Sequence, residues 1–211
     1  MLYKETVDTP TLELLKKLMT DESLMEFVLV GGTALALQLG HRISIDIDLF
    51  SFLPFDSVRL SEHLRKNYNF EPDFVAQNTL KGEINGVQLD CIAREYSWLQ
   101  KPNFIESIRL AGFPDIAAMK LNAIAGNGTR LKDFIDIAIL AEHISLNQML
   151  LAYQQKYNSN PVMPLKGLLY HDDINFNEPI KMAQNKSFQW KTIEKRLKLM
   201  QKFPDKIFEN A

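Results

Sequence analysis

Residues 31–50, GGTALALQLGHRISIDIDLF, carry two patterns whose order decides the fold. An apolar run, Phe27-Val28-Leu29-Val30, leads into them and stops at Gly31-Gly32, the signature of a short buried strand. Thr33 to Leu39 favours a short helix, and Gly40 suits the left-handed position that ends one. Arg42 to Phe50 then alternates, with Ile43, Ile45, Ile47 and Leu49 on one face and Arg42, Ser44, Asp46 and Asp48 on the other. Strand, glycine turn, helix and strand follow one another within a few turns of chain.

The chemistry implied is specific. Two glycines let backbone approach a ligand closely, and the free N–H groups of a helix start attract phosphate. Asp46 and Asp48 lie on one face of the predicted strand, about 7 Å apart at Cα by strand rise. Carboxylates that close favour a cation between them, and oxygen ligands suit Mg2+ or Mn2+ with phosphate oxygens and water completing the shell. Taken singly, Gly-Gly is an ordinary turn and Asp-x-Asp an ordinary solvated face. In this order they describe a phosphate cradle beside a metal site, the equipment for displacement at a nucleotide phosphorus.

Outward from this stretch, Thr9 to Met19 reads as a helix capped by Thr9, with Pro10 in its first turn and Leu12, Leu15 and Leu18 at helical spacing. Asp56 and Ser57 open a helix to about Asn67, with Val58, Leu60 and Leu64 apolar. Two or three strands follow between Asp73 and Ala93, hinged on Asn85-Gly86, which tolerate the positive φ of a tight hairpin. On Val87 to Ile92, Gln88, Asp90 and Ile92 share a face. Beyond Trp98 the pattern turns helical: Pro114-Asp115 to Ala125, broken by Gly126-Asn127-Gly128, then Leu131–His143, Leu146–Tyr157, Pro161–Tyr170 and Phe188–Phe203. His171 to Lys186 is polar and reads as a loop. The expected architecture is α+β, a small mixed sheet flanked by helices over residues 1–108, followed by an all-α bundle over residues 109–211, with the boundary near 98–112.

Composition narrows the function. Of 211 residues, 46% are apolar and 24% charged, an ordinary globular balance. With 24 Lys+Arg against 26 Asp+Glu the net charge is −2, which excludes a generic polycationic nucleic-acid coat but not a local basic groove. One cysteine, Cys91, forms no internal disulfide and fits a reducing compartment. The longest uncharged stretch, Phe27 to His41, is too short to span a bilayer, and the N-terminus carries Glu5 and Asp8 with no apolar signal region. A cytoplasmic protein with no membrane association is expected.

Gly31-Gly32 followed by Asp46-Ile47-Asp48 resembles the signature of the polymerase-β-like nucleotidyltransferases. The string GGTALALQLGHRISIDIDLF is closer still to the AbiEii/AbiGii toxin-type branch, which also carries a later carboxylate, matched by Asp90 in VQLDCIA. A Lys-bearing helix and an Arg/Lys-Asp-x-x-Asp helix are matched by MKLNAIAGNGTRLKDFIDI. The resemblance covers about residues 27–140. It implies that Asp46 and Asp48 hold two Mg2+ ions (Mn2+ as a substitute), with Asp90 completing the site of the ion that activates the incoming hydroxyl. It assigns Gly31, Gly32 and Thr33 to the triphosphate of an NTP, and Lys120 to the triphosphate or base. Asp133 and Asp136, at i and i+3 on one helix face, would hold Lys120 and Arg42 or touch the nucleotide, and Arg42 would pair with Asp136 or approach phosphate. Where the branch often places an Arg after the Lys helix, Asn127 stands here, with Arg130 or Lys132 as substitutes.

The activity so implied is transfer of an NMP from an NTP to an acceptor hydroxyl, with RNA or tRNA as a candidate acceptor, and release of pyrophosphate. The branch belongs to toxin–antitoxin and abortive-infection systems, which implies a cognate antitoxin partner. Two other readings compete: a transferase acting on a small molecule such as an aminoglycoside, and a nucleotide-binding regulator without turnover. His41, His63, His143 and His171 do not fall at zinc-ligand spacing, and Cys91 reads as a small buried apolar residue. In WKTIEKRLKLMQK, residues 190–202, Ile193, Leu197 and Met200 form a core stripe, and the lysines face solvent or an RNA acceptor.

Overall fold

Helix α1 (Thr9–Thr20) is capped by Asp8 rather than Thr9: the Asp8 carboxylate accepts the Thr11 N–H at 2.8 Å, and Thr9 and Pro10 already lie in the first turn. An acidic oxygen serves the exposed N–H groups well, because the helix start is positive. The computed structural model describes residues 1–183 and 189–209. Two compact units divide the chain, Met1–Ala111 and Gly112–Ala211.

In the first unit, β1 (Val28–Leu29) runs into α2 (Gly31–Leu39), which Gly40 ends with φ 65°. Strand β2 covers Ile47–Ser51 only, so it begins five residues later than the strand expected from Arg42. The alternation through 42–46 is not a pleat: Arg42 and Ser44 are buried, and Ile45 is 52% exposed. That segment spends its bonds elsewhere, the Ser44 N–H on Thr6 O and the Ser44 hydroxyl on Thr33.

Helix α3 (Ser57–Tyr68) is capped by Asp56, which accepts the N–H groups of Val58 and Arg59. Leu60 and Leu64 are buried as expected, but Val58 is exposed. Strands β3 (Phe70–Ala76), β4 (Thr79–Ile84) and β5 (Val87–Ala93) form a meander. Its second turn, Asn85-Gly86, has φ of 51° and 82°, as a two-residue hairpin demands. Two short strands that the sequence did not signal, β6 (Asn103–Ile105) and β7 (Ile108–Leu110), complete the sheet.

The sheet has seven strands in the order β3-β4-β5-β2-β1-β7-β6. It is mixed: β2 runs parallel to β5 and β1 parallel to β7, while the other pairs are antiparallel. Helix α1 packs on β7, α2 on β2, and α3 on β3 and β4. Leu29, Ile47, Leu49, Leu80, Leu89 and Cys91 are buried along the strands.

The second unit is helical: α4 (Phe113–Gly126), α5 (Leu131–Leu140), α6 (Leu146–Tyr157), α7 (Val162–Gly167) and α8 (Trp190–Lys202). Helix α4 packs against α5, α6 and α7, and α8 packs on α5. Ser145 and Gln148 close a capping box at the start of α6. Asp115, in the first turn of α4, takes the Lys156 ammonium of α6 at 2.7 Å, and both are buried. Residues 171–183 are irregular, as expected of the loop. The rest of that loop, 184–186, and the expected helix start at Phe188 lie outside the described residues. The molecule is α+β with a helical C-terminal portion.

Candidate active site

Asp48 lies on β2 and Asp90 on β5, in register as direct partners of the parallel pair. Paired residues of adjacent strands point to the same face, so the two carboxylates share a rung. Asp46 precedes β2, two residues before Asp48, and its carbonyl accepts a short hydrogen bond from the Thr33 hydroxyl. Thr33 is fully buried, and its Oγ1 also lies within hydrogen-bond distance of Ser44 Oγ, at 3.0 Å. Thr33 therefore ties the first turn of α2 to the approach of β2.

The two glycines have separate jobs. At Gly31, where φ is +68°, an added Cβ would overlap the Asp48 carboxylate. At Gly32 an added Cβ would overlap the Arg42 guanidinium and crowd Ser44 Oγ. The Gly-Gly turn thus makes room for an acid on one side and a base on the other. Arg42 is buried, and its Nη1 donates to Ile43 O at 3.2 Å. The Val30 N–H donates to Asp48 O at 2.9 Å, which fixes the start of α2 beside the carboxylate rung. A negative charge at a helix start is favoured there.

Asp90 carries a partner that sequence reasoning missed. Lys81 on β4 stands opposite Asp90 in the antiparallel register, and its ammonium donates to Asp90 Oδ2. The rung therefore reads Asp48, Asp90, Lys81 across β2, β5 and β4. Its neighbour Cys91 is buried, and burial foremost, then the Asp90 charge, pushes its thiol far up. That makes it inert as a nucleophile.

The donors fit a hard divalent ion. Asp48 and Asp90 offer oxygens on one rung, Gly31 leaves the space in which the Asp48 carboxylate sits, and a positive charge already stands on Asp90. Among the described residues no three acidic, histidine or cysteine side chains converge to enclose an ion by themselves. Mg2+ matches such a set, since it is commonly held by one or two carboxylates with substrate phosphates and water.

The second unit holds another charged cluster. The Lys120 ammonium, on α4, lies 2.6 Å from Asp133 Oδ1 and 2.7 Å from Asp136 Oδ2, both on α5, with all three side chains buried. The i, i+3 spacing of the two acids brings both to one ammonium. Arg130 approaches Asp133 at 3.6 Å, and Lys132 pairs with Glu178 at 3.4 Å. Removing one partner from such a buried set typically costs about 3–5 kcal/mol, because the remaining charge stays desolvated. On α8, Ile193, Leu197 and Met200 are buried, and Lys191, Lys195, Lys198 and Lys202 are exposed.

Comparison with known proteins bears on the family and the fold. A family model, the nucleotidyl transferase AbiEii toxin of type IV toxin–antitoxin systems, matches residues 13–202. An uncharacterized protein of Aquifex aeolicus (strain VF5) is 33% identical over 168 residues, covering 76% of this chain and 81% of its own. Two Helicobacter pylori crystal structures share the fold, each with a TM-score of 0.57 over 94% of this chain. One, described as a candidate nucleotidyltransferase, is 17% identical and covered over 96% of its length. The other, the protein JHP933, is 18% identical and covered over 93%. With the Gly-Gly turn set against the Asp48–Asp90 rung and the family model running through both units, the chain belongs to the AbiEii nucleotidyltransferase toxin family.

Proposed function

We propose that the protein transfers a nucleoside monophosphate from an NTP to the hydroxyl of an RNA acceptor, with a divalent ion held on the Asp48–Asp90 rung. Substrate phosphates and water complete its shell, and Asp46 joins as a third carboxylate by its match to the family's pattern. The observation that carries this reading is the Asp48–Asp90 rung packed against the glycine turn that opens α2. In the reaction the acceptor oxygen bonds to the α-phosphorus, the bond to the bridging oxygen breaks, pyrophosphate leaves, and the hydroxyl proton passes to a base. Asp90 suits that base. Mg2+ bound there supplies charge stabilisation on the phosphoryl oxygens and orients them.

The chain's own groups do the rest. The first turn of α2, from Gly31 to Thr33, directs N–H groups at the phosphates, and Arg42 beside Gly32 adds positive charge at the same turn. Lys120, Asp133 and Asp136 belong to the same proposal as nucleotide-binding groups, by their match to the family's pattern. The family's description as a toxin of type IV toxin–antitoxin systems supports a toxin role restrained by a cognate antitoxin, and action on a cytoplasmic RNA is part of the same proposal. The RNA acceptor is supported by the exposed lysines of α8.

The test incubates the protein with each radiolabelled NTP, Mg2+ and total cellular RNA, beside an Asp46→Ala/Asp48→Ala control. Label on RNA only with intact carboxylates is expected. NTP binding without transfer to RNA would redirect the reading to a small-molecule acceptor or a regulator, and loss of all nucleotide and metal binding would sink the site.

A further inference from the structure

We propose that Lys81 is the cation that holds the Asp90 carboxylate until a divalent ion binds, and that its displacement sets how tightly the carboxylate rung takes that ion. The inference rests on the metal site proposed for Asp46, Asp48 and Asp90. Lys81 lies outside the stretches 31–50, 87–93 and 119–137 that carry the resemblance and enters through the register of the sheet.

Asp48, Asp90 and Lys81 are consecutive partners across β2, β5 and β4, so their side chains share one face. Like charges directly opposite one another on neighbouring strands repel, and the Lys81 ammonium on Asp90 offsets that repulsion. An incoming Mg2+ or Mn2+ must have the same oxygens. The two cations therefore compete for Asp90.

The competition is set up to be reversible. The Lys81 side chain is 42% exposed and that of Asp90 24% exposed, so the ammonium has water to return to. Its flexible four-carbon stem allows the move without backbone change. An arginine fork would hold the carboxylate at two points, whereas lysine holds it as a point charge. Lys81 acts through Asp90 and is thus a positioning residue: it keeps the carboxylate at the rung with no ion present, and it raises the ion concentration needed to fill the site.

The test measures Mn2+ binding to the full chain at low salt, without nucleotide, by the loss of the free-ion electron paramagnetic resonance signal. Wild type is compared with Lys81→Met, Lys81→Arg, Asp48→Asn and Asp90→Asn. Lys81→Met is expected to bind Mn2+ about two- to fivefold more tightly, the range corresponding to loss of a partly exposed ion pair. Lys81→Arg, which keeps the charge, is expected to bind no more tightly than wild type. A second readout follows the Lys81 amine itself: saturating Mg2+ should increase its acetylation by a limiting reagent, read by mass spectrometry.

Unchanged or weaker Mn2+ binding by Lys81→Met, with binding lost in Asp48→Asn and Asp90→Asn, would overturn the role of Lys81 and leave the metal site standing. If the two Asp variants bind Mn2+ as wild type does, the metal site itself falls and the inference falls with it.

Discussion

At the scale of single residues, Gly31 is the position where sequence and site are least separable. Its φ of +68° disfavours any side chain, and its missing Cβ is where the Asp48 carboxylate sits. Gly86 provides an internal control, since it has φ +82° but nothing within 4 Å of an added Cβ. Gly86→Ala should therefore cost only the left-handed penalty, about 1–2 kcal/mol. Gly31→Ala should cost more than that in urea unfolding, and should also lose Mn2+ binding, because Asp48 has to move. Equal losses for the two variants, with Mn2+ binding intact in both, would refute the coupling of glycine to carboxylate. The order Gly31-Gly32, Asp46, Asp48 was legible in the sequence because glycine and acid are unambiguous at such spacing. The burial of Arg42 and Ser44 was not, because a run that alternates in sequence need not be pleated. Here its hydrogen bonds went to Thr6 and Thr33 rather than to a neighbouring strand.

Among the elements, the helices and the Asn85-Gly86 hairpin were readable because each carries its own start or stop signal. That hairpin also fixes the pairing of β4 with β5. Counting outward from a two-residue turn pairs Ile84 with Val87, Glu83 with Gln88, Gly82 with Leu89 and Lys81 with Asp90, so the partner of Asp90 was implicit in the register. Strands β6 and β7 gave no such signal. Each has three residues, and Glu106 and Ser107 turn between them at φ of 51° and 68° without the glycine or asparagine that marks such a turn.

A tertiary link between α1 and α3 was equally invisible. Asp21, at the end of α1, takes His63 Nε2 at 2.8 Å and the Tyr68 hydroxyl at 2.6 Å, both from α3. Burial pushes the Asp21 carboxyl up, but the hydrogen bonds of His63, Tyr68 and the Ser23 N–H, with the His63 charge, bring it below its ordinary value. Tyr68 is pushed up to about 12, by burial first and then by its bond to Asp21 and that residue's charge. A depressed carboxyl stabilises above its unfolded pKa of about 3.9, and the contribution is lost as pH falls through the lower folded value. A raised phenol stabilises below its unfolded pKa of about 10, and that contribution is lost as pH climbs through the folded one. Asp21→Asn should flatten the acid limb of the urea midpoint below about pH 4, and Tyr68→Phe the alkaline limb between about pH 10 and 12. Variant curves running parallel to wild type on both limbs would show that this link carries no proton-coupled stability.

For the molecule as a whole, a net charge of −2 offers RNA no general attraction. Binding an RNA acceptor must then come from local charge. Helix α8 supplies it: Lys191, Lys195, Lys198 and Lys202 recur at spacings of four, three and four residues, one exposed stripe opposite Ile193, Leu197 and Met200. The stripe is partly self-compensated, since Lys198 pairs with Glu194 at 2.5 Å. For single-stranded RNA each neutralised phosphate adds about −0.7 to the slope of log affinity against log salt. Four lysines therefore set a slope of about −2 to −3, well short of that of a polycationic binder. Replacing all four with glutamine should flatten the slope nearly to zero and weaken RNA binding at low salt, while leaving Mn2+ binding unchanged because the carboxylate rung keeps all its residues. A wild-type slope much steeper than −3, or one that survives the fourfold replacement, would place the RNA on another surface. RNA affinity with no salt dependence at all would mean recognition by stacking and hydrogen bonds, and α8 would then be a solvated helix and nothing more.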